Sequence, residues 1–407
     1  MALHTLLHKS RYSVSVCGLF IKRGLAHRSY QETFRFVDLQ ESLTKYPKLI
    51  PPNDDSLKFG KVMTDHMLEV PWNNVTGWGS PTISPYHPLP LDPAAKCLHY
   101  ALELFEGTKA YCGDDKKIRM FRPTDNCQRM HDSAARIALP TFDIEELRLC
   151  LHRFVEVEKN WVPDQPGFSL YIRPTMIGTE PSLGVDQSAE ALLYVIASPV
   201  GPYFPTGMKP VSLLADPKYV RAWPGGSGNC KLGSNYGPTV MIQKEAVSKG
   251  YQQVLWLFGE EHYITECGTM NMFVYLKDSQ GQAELVTPPL SQGTILPGVV
   301  RRSLLELAES FGNIKVSQRP ITMAELVQAL NDNRLIECFG AGTACVVCPV
   351  EKIFYKGEEL LLPPIPKLDL SAPAHSADPL FLKFYKILND IYYGRQASSW
   401  AEIVCDA

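Results

Sequence analysis

With 407 residues, 45% of them apolar and 20% charged, the chain has the composition of an ordinary globular protein long enough for two domains. A net charge of −3 leaves no footprint for nucleic acid, and no apolar run reaches the length of a membrane span. Eleven cysteines, an odd number in a chain this size, argue for reduced thiols rather than a secreted disulfide framework.

Residues 1–28 stand apart from the rest. The first acid is Glu32, and before it come Lys9, Arg11, Lys22, Arg23 and Arg28 among several serines. Acid-poor, arginine- and serine-containing segments read as mitochondrial transit peptides, so a matrix location is expected; a disordered tail has a similar composition. A small domain is expected over 40–200, with Thr64 to Val70 and Leu98 to Tyr111 strand-rich. A helix is expected from Asp125 to Ile137, with Thr124 as N-cap. A longer one, from Asp143 to Trp161, carries Leu147, Cys150, Leu151 and Phe154 at helical period. Phe168 to Ile172 and Leu192 to Ala197 read as strands. The Pro- and Gly-dense stretch within 201–210 is the expected linker.

A larger domain is expected over 211–407. Val211 to Ala215, Val254 to Phe258 and Met272 to Leu276 read as strands. Pro297-Gly298-Val299-Val300 opens a helix, and Thr322-Met323-Ala324-Glu325 is a capping box before another. Leu335 to Phe339 reads as a buried strand that delivers Gly340 to Ala344. A last amphipathic helix covers Leu380 to Tyr393. Helices and strands mixed in both blocks place the fold in the α/β (α+β) class.

The chemistry centres on Lys231. It lies within Gly225-Gly226-Ser227-Gly228-Asn229-Cys230-Lys231-Leu232-Gly233-Ser234-Asn235-Tyr236-Gly237, five glycines in thirteen residues. Such a loop lets backbone approach a ligand closely, and an amine held in it can condense with a carbonyl cofactor. Alone, Lys231 would read as a solvated loop lysine. A phosphate-cradling P-loop fails on spacing, because that motif needs the lysine directly after a glycine. Further on comes Thr265-Glu266-Cys267-Gly268-Thr269-Met270-Asn271, where Glu266 is a candidate partner for a pyridinium nitrogen. Cys345-Val346-Val347-Cys348 is a candidate redox pair; the alternative is two thiols packed as small hydrophobes. No second ligand pair accompanies it, so no metal site is expected.

Together the lysine and glutamate stretches resemble the branched-chain aminotransferases. So do Leu104-Phe105-Glu106-Gly107-Thr108-Lys109-Ala110-Tyr111, Tyr171-Ile172-Arg173-Pro174, Gly178-Thr179-Glu180-Pro181-Ser182-Leu183-Gly184-Val185 and Gly342-Thr343-Ala344-Cys345. The likeness covers essentially everything after residue 40. The resemblance implies pyridoxal 5'-phosphate as cofactor and its fold type IV: a smaller N-terminal α/β domain, a larger C-terminal cofactor-binding domain, and a homodimer. It implies transamination of L-leucine, L-isoleucine and L-valine with 2-oxoglutarate, giving 2-oxo acids and L-glutamate, with no nucleic-acid or membrane partner.

That cofactor needs an amine for its aldehyde, which is Lys231, also the catalytic proton carrier. Glu266 would face the ring nitrogen and Tyr236 the ring oxygen. The phosphate would take Arg129, by match to the family's arginine segment, and N–H groups of Val299, Val300 and the Thr343 turn. By motif position, Phe59, Tyr100, Phe105, Tyr171, Val185 and Tyr203 would form the apolar substrate pocket, with residues from both subunits. Arg173 would admit the γ-carboxylate of glutamate, and Thr343 and Ala344 would bind the α-carboxylate. Thr108, Ser234 and Ala341 depart from residues common in the family, and none of the three is a catalytic group. The competing readings are a D-amino-acid aminotransferase or aminodeoxychorismate lyase, and an inactive relic.

Overall fold

A computed structural model describes residues 30–54, 57–202, 208–370 and 372–407. The leader 1–28 and Tyr203 lie outside the described residues. Two sheets organise the rest.

The first sheet contains β1 (Gln40–Glu41), β2 (His66–Asn73), β3 (Gly77–Trp78), β4 (Thr82–Pro85), β5 (Glu103–Phe105), β6 (Thr108–Cys112), β7 (Lys117–Phe121), β8 (Ser169–Gly178) and β9 (Glu190–Val200). The second contains β10 (Val211–Ala215), β11 (Gln253–Phe258), β12 (Tyr263–Cys267), β13 (Met270–Lys277), β14 (Ala283–Thr287), β15 (Lys315–Gln318), β16 (Leu335–Gly342), β17 (Val346–Tyr355) and β18 (Glu358–Leu361). The terminal strand β19 (Ala401–Asp406) leaves the second block and returns to the first.

Strand order in the first sheet is β1-β4-β2-β9-β8-β6-β7-β19, with β3 on β2 and β5 on β8. Its centre is the long antiparallel pair β8–β9, where Ser169 faces Val200 and Gly178 faces Ala191. Strand order in the second is β12-β11-β10-β17-β16-β13-β14-β15, and a further β12–β13 pairing closes the first six of these into a ring. Closure leaves those strands no free edge, so Glu266 and Asn271, opposite each other in β12 and β13, are held from both sides.

Helices α2 (Pro123–Arg136) and α3 (Ile144–Val157) cover the first sheet, burying Met130, Leu147, Leu151 and Phe154 against Leu68, Leu170 and Leu193. In the second block, α4 (Thr239–Ser248) lies on β11, and α5 (Val299–Ser310), α6 (Met323–Asn331) and α7 (Leu380–Tyr392) pack against β16. The short α1 (Lys96–Tyr100) precedes β5.

Several boundaries differ from the sequence expectation, each for a local reason. Helix α2 begins at Pro123, whose fixed φ suits the first helical position, with Arg122 in left-handed backbone before it (φ 45). Thr124 is therefore inside the helix and is not its N-cap. Helix α3 is capped by Asp143, which accepts from Glu145 N and Glu146 N, but it stops at Val157. There Glu158 turns inward to bind His66 and the Asp65 N–H (3.1 Å), and a 3-10 turn over Lys159–Trp161 takes the place of further helix. Leu98 to Tyr111 is one helical turn and two strands, split where Ala101 takes φ 50. Thr322 caps α6 by accepting from Glu325 N at 3.1 Å, whereas the Glu325 carboxylate binds Arg319 instead of closing the box.

The last strand departs from the division at 210. Assigned by sequence to the second domain, β19 instead pairs antiparallel with β7, Ala401 opposite Phe121 and Asp406 opposite Lys117. Just before it, Trp400 stacks on the Arg122 guanidinium at 4.1 Å. Removing residues 401–407 should bare the β7 edge. We expect Tm to fall by about 5 °C or more, the scale of losing ~2 kcal/mol in a domain this size, with new aggregation through the open strand. Thermal unfolding and size-exclusion chromatography check this.

Candidate active site

Between the two sheets lies a cavity of about 340 Å³ lined from both sides. Lys231 enters it from a loop clamped to the first sheet. Its carbonyl accepts from Phe105 N at 3.0 Å, Leu232 bridges to Leu104, and Lys231 N donates to Ser133 Oγ of α2 at 3.0 Å. Cys230 and Leu232 on either side are buried in the first sheet's core. The loop cannot back away from β5 without breaking these contacts. Gly233 makes the fit possible, since a Cβ there would meet Glu103 Oε1 at 1.8 Å.

The amine itself is buried. Burial, then the nearby Arg129 charge, brings the Lys231 pKa down to about 8, with Glu106 acting in the opposite sense. Nζ lies 3.3 Å from Tyr236 Oη and 4.9 Å over the Phe105 ring. Burial raises the Tyr236 phenol to about 12, and Glu266 adds to the shift, so it is a proton donor at neutral pH.

Glu266 closes β12 at the second sheet. Oε1 accepts from Leu296 N (2.8 Å) and Asn271 Nδ2 (3.1 Å), and Oε2 pairs with Arg221 at 3.0 Å. Burial raises its pKa, opposed mainly by Arg221. Asn271 is fixed in turn by the Leu296 carbonyl (2.8 Å), and Gly298 must lack a side chain because a Cβ would meet Asn271 Oδ1 at 2.0 Å.

The anion end is built from a helix start and an arginine. Helix α5 begins at Val299 with Gly298 as N-cap, and no side chain caps it. Its first N–H groups therefore have no intrahelical partners and suit an anion. Arg129, on α2, is gripped by Glu106 through Nε–Oε1 (2.6 Å) and Nη2–Oε2 (2.8 Å), while Nη1 donates to Pro297 O at 3.1 Å. Burial works to raise the Glu106 carboxyl pKa, but Arg129, with Lys231 and Asn126, outweighs it and the group stays below the usual range. A neutralised, pre-aimed arginine beside open helix N–H groups, an amine and a buried carboxylate at one cavity fit a phosphorylated pyridine aldehyde.

The amino-transferase class IV family matches residues 103–353. The mitochondrial branched-chain-amino-acid aminotransferase of Mus musculus is 53% identical over 374 residues, covering 92% of this chain and 93% of its own. The cytosolic form of Mus musculus is 52% identical over 370 residues, covering 91% and 93%. A solved structure of the T.th. branched-chain amino acid aminotransferase with pyridoxamine 5'-phosphate is 25% identical, with a TM-score of 0.61 over 82% of this chain and 98% of that one. The chain belongs to the class IV branched-chain-amino-acid aminotransferases.

In this aminotransferase one wall of the cavity is aromatic. Phe59 meets Tyr171 edge-on at 4.8 Å, and Phe105 meets Tyr236 at 5.0 Å. Arg173 donates to Tyr171 Oη (3.0 Å) and lies 4.7 Å over Phe105, with its Nε buried and unpartnered among the described residues. Thr343 and Ala344 sit in the tight turn between β16 and β17. That turn is strained: Val346 takes φ 63, and Val347 N donates to Cys345 O at 2.8 Å. Lys109 supports it from the first sheet, donating to Ala344 O at 3.0 Å.

Two expected pocket residues are elsewhere. Tyr100 and Val185 are absent from the cavity lining and lie on the outer surface, 37% and 81% exposed. Cys345 touches the cavity wall, with Sγ 3.1 Å from Met270 Sδ, and Cys348 points to Pro349 O. Burial raises both thiols, Cys345 to about 12. Ala341 lines the cavity and Thr108 is buried beside it. Sequence reading missed Glu106, Arg221 and Asn271. Glu106 and Asn271 lie inside quoted motifs, and only their contacts reveal them as the residues that hold Arg129 and Glu266.

Gly107 is where the first sheet meets this wall, since a Cβ there would lie 2.1 Å from Tyr171 Oη. Gly107→Ala should push Tyr171 off Arg173. We expect the amino-acid KM to rise about tenfold, the scale of a lost pocket contact, with cofactor content unchanged; steady-state kinetics and absorbance measure both.

Proposed function

We propose that this chain, with pyridoxal 5'-phosphate, transfers the amino group of L-leucine, L-isoleucine or L-valine to 2-oxoglutarate, giving branched-chain 2-oxo acids and L-glutamate. The observation that carries this reading is the convergence of Lys231, Glu266, Arg129 and the open start of α5 on one cavity with an aromatic wall.

When bound, the cofactor supplies an aldehyde and a ring that withdraws electrons from the substrate α-carbon. The protein supplies the rest. Lys231 Nζ, with its pKa lowered to about 8, would carry the proton from the donor's α-carbon to the cofactor and, in the reverse sense, from the cofactor to the acceptor's α-carbon. Glu266, paired with Arg221 and aimed by Asn271, would hold the proton at the ring nitrogen. Tyr236 would donate to the ring oxygen. Val299 and Val300 N–H, Thr343 and Arg129 would hold the phosphate.

Phe59, Phe105 and Tyr171 accept the branched side chain, each buried methyl group being worth about 0.8 kcal/mol. The Arg173 guanidinium takes the γ-carboxylate of glutamate, and the Thr343 and Ala344 N–H groups take the α-carboxylate. The outward position of Tyr100 and Val185 supports a homodimer in which each subunit completes its partner's pocket with these two residues. Tyr203 is proposed for the same pocket by motif position. The two-domain reading is kept with one amendment, that the small domain includes β19. For Cys345 and Cys348, burial and raised pKa values favour packed thiols over a redox pair, because the reactive thiolate is scarce.

Lys231→Ala should leave a folded protein that has lost roughly 10⁴-fold or more of its leucine turnover, and Glu266→Gln should lose about 10²-fold with less effect on cofactor binding. The deciding measurement is the visible band of the holoenzyme: L-leucine should shift it and D-alanine should not. A band moved only by D-alanine would favour the D-amino-acid enzymes, and a band moved by neither would favour a relic.

A mitochondrial location is proposed from the leader's composition and from the mitochondrial relatives, although cytosolic relatives are almost as similar. A reporter carrying residues 1–28 should enter mitochondria; one that stays in the cytosol overturns the assignment.

A further inference from the structure

Lys96 is fully buried, and the reaction has no use for it. Its ammonium has three hydrogens and meets three acceptors: the Asp186 carboxylate, Glu180 Oε2 at 2.9 Å and the Gln187 carbonyl at 3.0 Å. Glu180 lies just after β8, and Asp186 and Gln187 lie just before β9. One side chain thus ties together both ends of the connecting loop. The backbone adds to the grip. Lys96 N donates to Glu180 O (3.1 Å), Ser182 N to Ala94 O (3.1 Å), and Ala95 bridges to Pro181. Glu180 also accepts from Ala189 N at 2.7 Å.

One turn along α1, the Tyr100 hydroxyl donates to the Leu183 carbonyl at the loop's far side. The loop is therefore held at base and tip by one short helix. What it presents is apolar and outward: Leu183 is 65% and Val185 81% exposed, with Tyr100 beside them. An exposed seven-residue loop, 181–187, needs no buried ammonium to stay soluble or attached. Such a lock makes sense where the loop's shape matters to something packed against it.

We propose that Lys96, with Glu180 and Asp186, is a positioning lock that fixes the wall formed by Leu183, Val185 and Tyr100, which this subunit lends to its partner's substrate pocket. It rests on the homodimeric branched-chain reading above and adds the group that sets side-chain selectivity in trans. The physical case is direct. Dispersion falls steeply with distance, so a gap of even half an ångström forfeits about a quarter of each contact. Without the ammonium, Glu180 and Asp186 face each other as like charges and drive the loop ends apart.

Lys96→Met keeps length and removes charge; Lys96→Arg keeps charge. In the Met homodimer we expect the leucine KM to rise about tenfold, the scale of one or two methyl contacts. We also expect kcat to stay within about twofold and discrimination against phenylalanine to narrow. Lys96→Arg should recover most of the leucine KM.

Co-expressed, differently tagged subunits then separate positioning from folding. A heterodimer of Lys96→Met with Lys231→Ala has one active lysine, in the Met subunit, facing the other subunit's intact loop. Its leucine KM should return to the wild-type value. Placing both substitutions on one chain opposite a wild-type partner should keep KM raised. An unchanged KM in the Met homodimer, or a defect that follows the subunit carrying the active lysine, overturns the proposal. A monomeric wild type, or one without leucine turnover, brings down the reading beneath it as well, and is told apart by needing no variant.

Discussion

An amine buried between two sheets has its charged form disfavoured, and the surroundings of Lys231 set how far. Burial alone disfavours the ammonium, and Arg129 a short way off disfavours it further. The same arginine would be an expensive charge to bury, and Glu106 neutralises it through two hydrogen bonds. Against its own burial, Glu106 in turn is held below the usual carboxylate range by Arg129, with help from Lys231 and Asn126. Across the cavity, Arg221 and Glu266 repeat the pattern. The site is a set of mutually dependent charges whose net effect leaves one nitrogen poised near neutrality.

The two sheets share the work unevenly. The first holds the amine and the aromatic wall, through the Leu104–Leu232 bridge, β5, and Tyr171 on β8. The second, closed on itself by β12–β13, holds the acid, the helix start and the turn at Thr343. At the site Arg129 reaches Pro297 O and Lys109 reaches Ala344 O across the seam; farther out Arg122 pairs with Glu306, Arg302 with Asp125, and Tyr111 and Phe121 pack on Tyr392. The first two link a cation of the first block, Arg129 on α2 and Lys109 on β6, to a carbonyl of the second.

Much of this was legible in the sequence because the lysine and glutamate stretches are long, glycine-marked and local. Lys231 and Tyr236 are five residues apart in one loop, so their juxtaposition at 3.3 Å needs little tertiary knowledge. Glu106 and Asn271 were in view but unread, since a carboxylate that clamps an arginine 23 residues on looks like any other glutamate until the fold is known. Tyr100 and Val185 are a different case: motif position marks them as pocket residues, and within one chain both lie on the outer surface. Thr124 and the end of α3 were misplaced by single-residue competition, from Pro123 and from the inward pull of Glu158. Nothing in the pattern of Ala401 to Asp406 says which sheet it will join.

That last strand carries a consequence for how the molecule is made. Synthesis runs from the N-terminus, and β7 is available long before its partner, because β19 pairs with it across some 280 residues of chain. The first sheet and its core can assemble early, yet one flank must wait until residues 401–406 have appeared. Contacts of such separation are slow to form, because the loop-closure entropy comes before the reward. Until then the waiting strand is a sticky ribbon open to any neighbour. Its Lys117 and Arg119 give that ribbon positive charge, the kind of residue that discourages wrong pairing while the right one is still being synthesised.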